Sequence, residues 1–221
     1  MEKRQRKPKT PQRKPELKPD GPNQVWSWDL TYIAPGPIFV YLFAIIDVFS
    51  RKIVGWHLGF NARVESMKRA WDKALANEGL IGVVGAPKMP TAISDHGIRM
   101  AKKSAKQFLK DLGIKQLFAR YKTPTDNAWI ESWFRILKYD WLRYKDYVSF
   151  DQLKTIIRQF VIVYNAQRYH GTIGYVTPEQ KHSSQAEEIL KARSERKRLA
   201  RLHRLKVNRE EVSQIEWKKA A

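Results

Sequence analysis

"VWSWDLTYI", residues 25–33, sets Val25, Ser27, Asp29, Thr31 and Ile33 on one side of a two-residue alternation and Trp26, Trp28, Leu30 and Tyr32 on the other. That period marks a β-strand, whose successive side chains point to opposite faces. After a turn at "APGP" comes "IFVYLFAIIDVF", apolar on both faces, which reads as a buried central strand. A tight turn around Ser50 leads into a third strand, "SRKIVGWHLG". Short links between the three predict an antiparallel meander.

The pattern then changes. Residues 62–79 have a helical period and end at Gly79, "TAISD" is a short strand, "AKKSAKQFLKDLG" is a helix closed by Gly113, and "IKQLFA" is another strand. A meander followed by alternating helices and strands predicts an α/β fold, a mixed sheet covered by helices. A polar loop at 120–126 precedes "AWIESWFRILKYDW", a helix with Asp126 or Asn127 as its cap. Residues 150–167 read as a second long helix and "YNAQRYHGTIGYVTP" as an irregular segment. Residues 184–206 read as a basic amphipathic helix, with Ile189, Leu190, Leu199, Leu202 and Leu205 on its apolar side.

Of the 221 residues 43% are apolar, enough for one core plus extensions. No run of eighteen apolar residues suggests a transmembrane helix, and the basic N-terminus lacks the apolar stretch of a secretory signal. The lack of cysteine excludes a disulfide framework and a cysteine-ligated zinc site, and no histidine pair has zinc-ligand spacing. A cytoplasmic protein with no membrane partner is expected. The net charge is +20, with eight Lys/Arg against three acids in residues 1–20 and twelve against six in residues 181–221. Such an excess points to a polyanionic partner, nucleic acid above all. Three regions follow: a disordered basic arm at 1–23, a core at 24–180 and a basic helical extension at 181–221.

Three acids stand out. Asp29 lies mid-strand, where a carboxylate is unfavourable unless it has a partner. Asp95 follows a strand at its carboxyl end, the place where α/β sheets gather ligands. Glu131 sits in a tryptophan-rich helix. With Trp129 at zero, the apolar stripe spans roughly 0° to 140°, and Glu131, Lys138 and Arg135 fall at roughly 200°, 180° and 240°. Singly, each acid has an ordinary alternative: a hydrogen-bonded structural Asp, a turn Asp, a surface Glu–Arg pair. Asp47 also lies at a strand end and reads as a structural residue of the hairpin. Trp56, Trp71 and Trp133 read as core.

Thirty-five residues separate Asp95 from Glu131. With Asp29 on the first strand, this pattern resembles the retroviral-integrase superfamily, and most closely the transposases of bacterial insertion sequences. "WSWDLTYI", "FAIIDVFSRKIVGW", "ISDHG", "DNAWIESWFRILK" and "YNAQRYHGTIGYVTP" carry the likeness in the family's order over residues 24–180. The resemblance implies a ribonuclease-H-like fold with a five-stranded sheet, three antiparallel strands and then parallel ones. It implies DNA cleavage at a transposon end followed by attack of the freed 3′-hydroxyl on target DNA. Asp29, Asp95 and Glu131 would be catalytic and hold two Mg2+ (or Mn2+) ions, whose preference is for hard oxygen ligands.

Arg135, Lys138, Asn127, Arg168, His170 and Lys122 are the expected DNA contacts, and His96 is a candidate for placing substrate. A homo-oligomer on DNA is implied. Family members usually carry an upstream helix-turn-helix region, where this sequence has only a basic arm, so a separately encoded helix-turn-helix protein is a candidate partner. Met100 stands where the family more often has an aromatic residue. The competing readings are a nuclease of the same fold and a non-catalytic DNA-binding relative, and the intact acid triad speaks against the latter.

Overall fold

The computed structural model describes residues 17–34, 39–81, 88–95, 103–119 and 127–220, the last nine of these as backbone only. The meander forms as expected: β1 (Val25–Ile33), β2 (Val40–Asp47) and β3 (Ile53–Gly59) are antiparallel neighbours. Then come α1 (Val64–Asn77), β4 (Thr91–Ser94), α2 (Lys103–Asp111) and β5 (Gln116–Phe118). Strands β4 and β5 join in parallel on the other side of β1, so the sheet order is β3-β2-β1-β4-β5. Gly79 (φ +65°) and Gly113 (φ +72°) end α1 and α2 in the left-handed conformation that glycine adopts without steric cost.

Helices cover both faces. On one, Trp71 and Leu75 of α1 and Leu109 of α2 pack against Trp26, Trp28 and Phe43. Trp71 lies 5.6 Å from Trp26 and 6.0 Å, edge-on, from Trp28. There α1 rests directly on the β3 backbone, because a Cβ added at Gly55 would come within 2.5 Å of the Ala74 Cβ and 2.6 Å of the Ala70 carbonyl oxygen. On the other face, α3 (Ala128–Arg135), the segment that follows it and α4 (Phe150–Ala166) bring Ile130, Trp133, Leu137, Ile157 and Phe160 onto Leu42, Ala44, Ile46 and Leu58. Ser149 caps α4 by accepting a bond from the Gln152 amide. Trp71 and Trp133 are core residues, whereas Trp56 is only half-buried.

Three expectations need correction. The helix read through "KYDW" leaves the α form at Ile136: residues Ile136–Trp141 make a π-helical segment, followed by a 3-10 turn at Leu142–Tyr144. Asn127 is the cap residue by position, but its side chain makes no capping bond. The C-terminal helix is longer than the expected 184–206, running from Ala186 to Ala220 as α6, after the short α5 (Pro178–His182). Its apolar residues also do not share one side. Ile189 packs with Ile173 and Val176, whereas Leu202 and Leu205 fall roughly 140° and 160° away and, like Leu199 at roughly 80°, are about half exposed. Of the basic arm, residues 1–16 lie outside the described set, while Leu17 packs against Val25, Val48 and Ile93.

Candidate active site

Parallel pairing of β1 with β4 sets Ser27 opposite Ile93. Two residues further along each strand are Asp29 and Asp95, so the register brings the two acids side by side where β4 ends. Side-chain alternation turns Ser27 and Asp29 away from the tryptophan-lined face and toward α3. The Ser27 hydroxyl lies 2.6 Å from the Asn127 side-chain oxygen, to which it donates a buried hydrogen bond. That bond pins the start of α3 over β1. One turn onward in α3 is Glu131, a rise of about 6 Å. Two residues onward in β1 is Asp29, an advance of about 6.6 Å. Helix and strand therefore carry their acids forward in step.

The carboxylates feel one another. Burial pushes the Asp29 carboxyl up to about 7; a hydrogen bond of 2.7 Å from the Leu30 amide opposes this, and repulsion from Asp95 and Glu131 adds to it. Glu131, more exposed, is also raised, by partial burial and by Asp95. Among the described residues, no three acids or histidines are gathered into a ready-made cation cage. The donor set nevertheless fits a divalent cation: all three are hard carboxylate oxygens, and a positive ion would relieve both the burial cost and the repulsion.

The expected DNA contacts divide. Arg135 is exposed one turn beyond Glu131. Lys138 falls in the π-helical segment and is half-buried, its ammonium 5.0 Å from the centre of the Tyr32 ring, and burial lowers its pKa. Arg168 is exposed, 3.8 Å from the Asp140 carboxylate. Two others are engaged inside the protein. Asn127 is 1% exposed and accepts the bond from Ser27. His170 packs edge-on against Tyr164 at 4.9 Å, and burial, with Arg168 and Arg51 nearby, pushes its pKa down to about 4. Lys122, His96, Met100, Asp126 and the loop at 120–126 lie outside the described residues.

Sequence reasoning missed Arg51, which adopts φ +69° in the hairpin turn and places its guanidinium 5.4 Å from the centre of the Trp129 ring, in the first turn of α3. It also missed a second polar centre. Asp47, fully buried, accepts bonds from the Ser50 amide and hydroxyl at 2.7 Å each and from the Asn23 amide at 2.9 Å. His182 of α5 reaches Ser50 Oγ at 2.9 Å through Nδ1 and Glu78 at 2.7 Å through Nε2. Lys52 completes the group, 3.3 Å from both Glu78 and Glu179. The structural role read for Asp47 matches this geometry. No sequence motif announces it, because hydrogen-bonded partners within it lie up to 132 residues apart.

Two family models, both described as Integrase core domain, match residues 19–124 and 112–178. The chain belongs to the integrase core family. Among relatives of this integrase core, the insertion element IS600 uncharacterized 31 kDa protein of Shigella sonnei is 30% identical over 164 residues, 72% of this chain and 57% of that protein. The transposase for insertion sequence element IS904 of Lactococcus lactis is 28% identical over 168 residues, 74% of this chain and 62% of that protein. The chain thus spans about three fifths of the length of these relatives.

Solved structures carry the same fold. A chain of the simian T-cell lymphotropic virus intasome in complex with PP2A regulatory subunit B56 gamma superimposes with a TM-score of 0.63 at 19% identity, covering 78% of this chain and 60% of that one. The HTLV-2 integrase catalytic core domain in complex with magnesium gives 0.54 at 17% identity, covering 73% and 97%. The fold is therefore the ribonuclease-H-like one of integrase cores, as the resemblance implied.

Proposed function

We propose that this chain is the catalytic part of an insertion-sequence transposase, a polynucleotidyl transferase that cleaves DNA at an element end and joins the freed 3′-hydroxyl to target DNA. The observation that carries this reading is the convergence of Asp29 and Asp95, in register on neighbouring parallel strands, beneath a helix pinned by the Ser27–Asn127 bond so that Glu131 enters the same electrostatic field. In this reading Asp29, Asp95 and Glu131 hold one or two Mg2+ or Mn2+ ions. A divalent ion held there supplies positive charge beside the attacking and leaving oxygens of phosphoryl transfer.

The chain's own residues do the rest. Asp29, half-buried, accepts a bond from the Leu30 amide that holds its carboxylate in place. Exposed Arg135 lies one turn from Glu131 and holds a flanking phosphate without reading sequence, and Arg168 serves a more distant one. The names of the relatives support DNA as substrate, and the net charge of +20 agrees with it. Oligomerisation on DNA, a separate helix-turn-helix region for end recognition, and action in the bacterial cytoplasm complete the proposal.

The test is a joining assay with labelled element-end oligonucleotides, plasmid target and Mg2+ or Mn2+. Asp29→Asn, Asp95→Asn and Glu131→Gln should each remove joined product while DNA binding persists. Full joining by any one of them overturns the assignment.

A further inference from the structure

A group of cations that make no salt bridge among the described residues lies at the opposite side of the sheet from the three acids. Strand β3 is the outer strand there, separated from β1 by β2. Helix α1 packs against it on one face and α4 on the other. Helical spacing puts Arg69 and Lys73 in one line along α1, and Lys154 and Arg158 in one line along α4. His57, on β3, lies within the field of Lys73, Arg69 and Lys154. The Lys73 ammonium is 5.7 Å from the centre of the half-buried Trp56 ring. At the end of this edge Phe60, which follows β3, stacks at 4.4 Å on Phe150, the first residue of α4, closing strand to helix.

Among the described residues none of these four cations makes a salt bridge, although they come from two helices flanking one strand. Their like charges tell on each other. Burial lowers the Lys73 pKa, and Lys154, Arg158 and Arg69 lower it further. Burial and the neighbouring cations push His57 down to about 4, so it adds no charge at neutral pH. Gathering like charges this way costs energy that an anion alone returns. Lys154 and Arg158 stand about 6 Å apart along α4, as do Arg69 and Lys73 along α1, close to two phosphate steps of about 3.4 Å along one strand. Two such rows flanking one strand suit the repeated charges of a phosphate backbone.

We propose that β3, α1 and α4 form a second DNA-binding track, gripping the phosphate backbone of a duplex at the sheet edge remote from the acid centre. The inference rests on the reading that DNA is this protein's substrate. Because the contacts are cationic side chains on backbone phosphate, binding here is independent of sequence and steeply salt-dependent.

The experiment titrates the chain, without divalent metal, into a fluorescein-labelled duplex of random sequence and follows anisotropy over a range of salt. Arg69→Gln/Lys73→Gln and Lys154→Gln/Arg158→Gln should each weaken binding and lower the slope of log Kd against log salt by about 1.8, as expected for two lost phosphate contacts. The charge-keeping Lys154→Arg/Arg158→Lys should keep the slope. Circular dichroism melting confirms that each variant is folded. An unchanged slope in folded Gln variants overturns the proposal. So does a change of sedimenting mass with DNA binding unaltered, which would make this face a contact between copies. Joining is assayed separately on the parent chain. A parent that binds duplex through this track but never joins leaves the track standing and removes the catalytic reading.

Discussion

Asp29 on β1 and Asp47 at the end of β2 are both withdrawn from water, and the fold treats them in opposite ways. Asp47 is surrounded by donors: two from Ser50, one from Asn23, with His182 bridging onward to Glu78. Asp29 receives one backbone donor and two like-charged neighbours. The titrations follow. Although burial opposes both shifts, hydrogen bonds hold Glu78 down to about 2 and His182 up to about 9, while Asp29 drifts up to about 7. A carboxylate that the protein satisfies by itself is structural. One that it leaves in deficit waits for charge from outside.

The largest effect that can break this contrast is on chemistry. Asp29→Asn should lower joining by about a thousandfold or more, since several kcal/mol of charge stabilisation goes with the ion. The same change should not destabilise the fold, because it removes an uncompensated charge; a large drop in Tm would place Asp29 with Asp47. Next comes the pin between the strand and α3. Asn127→Ala leaves the Ser27 hydroxyl buried without its partner, and should reduce joining roughly ten- to hundredfold by misplacing Glu131. Equal activity per folded molecule would mean that the pin does not position the acid.

Glu78→Gln addresses the other centre. It should cost about 2 kcal/mol in urea unfolding, a discounted value for a pair that is not wholly buried, and leave joining per folded molecule intact. The pH dependence sharpens the comparison with smaller shifts. The raised His182 pKa gives stability that is fully present below about 6.5 and lost as pH rises through about 9. The depressed Glu78 pKa gives stability present above about 4.5 and lost as pH falls through about 2. Asp29 has the reverse sign to Glu78: raised from 3.8 to about 7, it favours the folded state at low pH and penalises it increasingly as pH climbs through that window. Mg2+ should therefore raise Tm by a few degrees at pH 8, not at pH 5, and not in Asp29→Asn. Equal shifts at both pH values would detach metal binding from Asp29.

The sheet was legible in the sequence because strand period and short links leave few ways to connect β1, β2 and β3. The wheel that placed Glu131 at the edge of an apolar stripe works only while the helix is α. It said nothing of the π-helical segment at Ile136–Trp141, since widening a turn leaves the spacing of Trp133, Leu137 and Trp141 readable either way. Asn127 and His170 looked like substrate-facing polar residues because polarity does not reveal which way a side chain turns. The clamp of Asp47, Glu78 and His182 was invisible for a different cause: it exists only once distant segments meet. For α6, the reading ended at residue 206 although Val212 and Ile215 continue the helical spacing of Leu205, so the length was understated where charged residues crowd the pattern.

Gly55 has a reach beyond its own strand. With Ala70 and Ala74 seated on its bare backbone, α1 cannot come nearer to β3, and any side chain there would drive the helix outward. The gap between the α1 and α4 cations is thus gauged by a missing methyl group. Alanine at position 55 would act as a shim, spreading two rows of positive charge that it never touches.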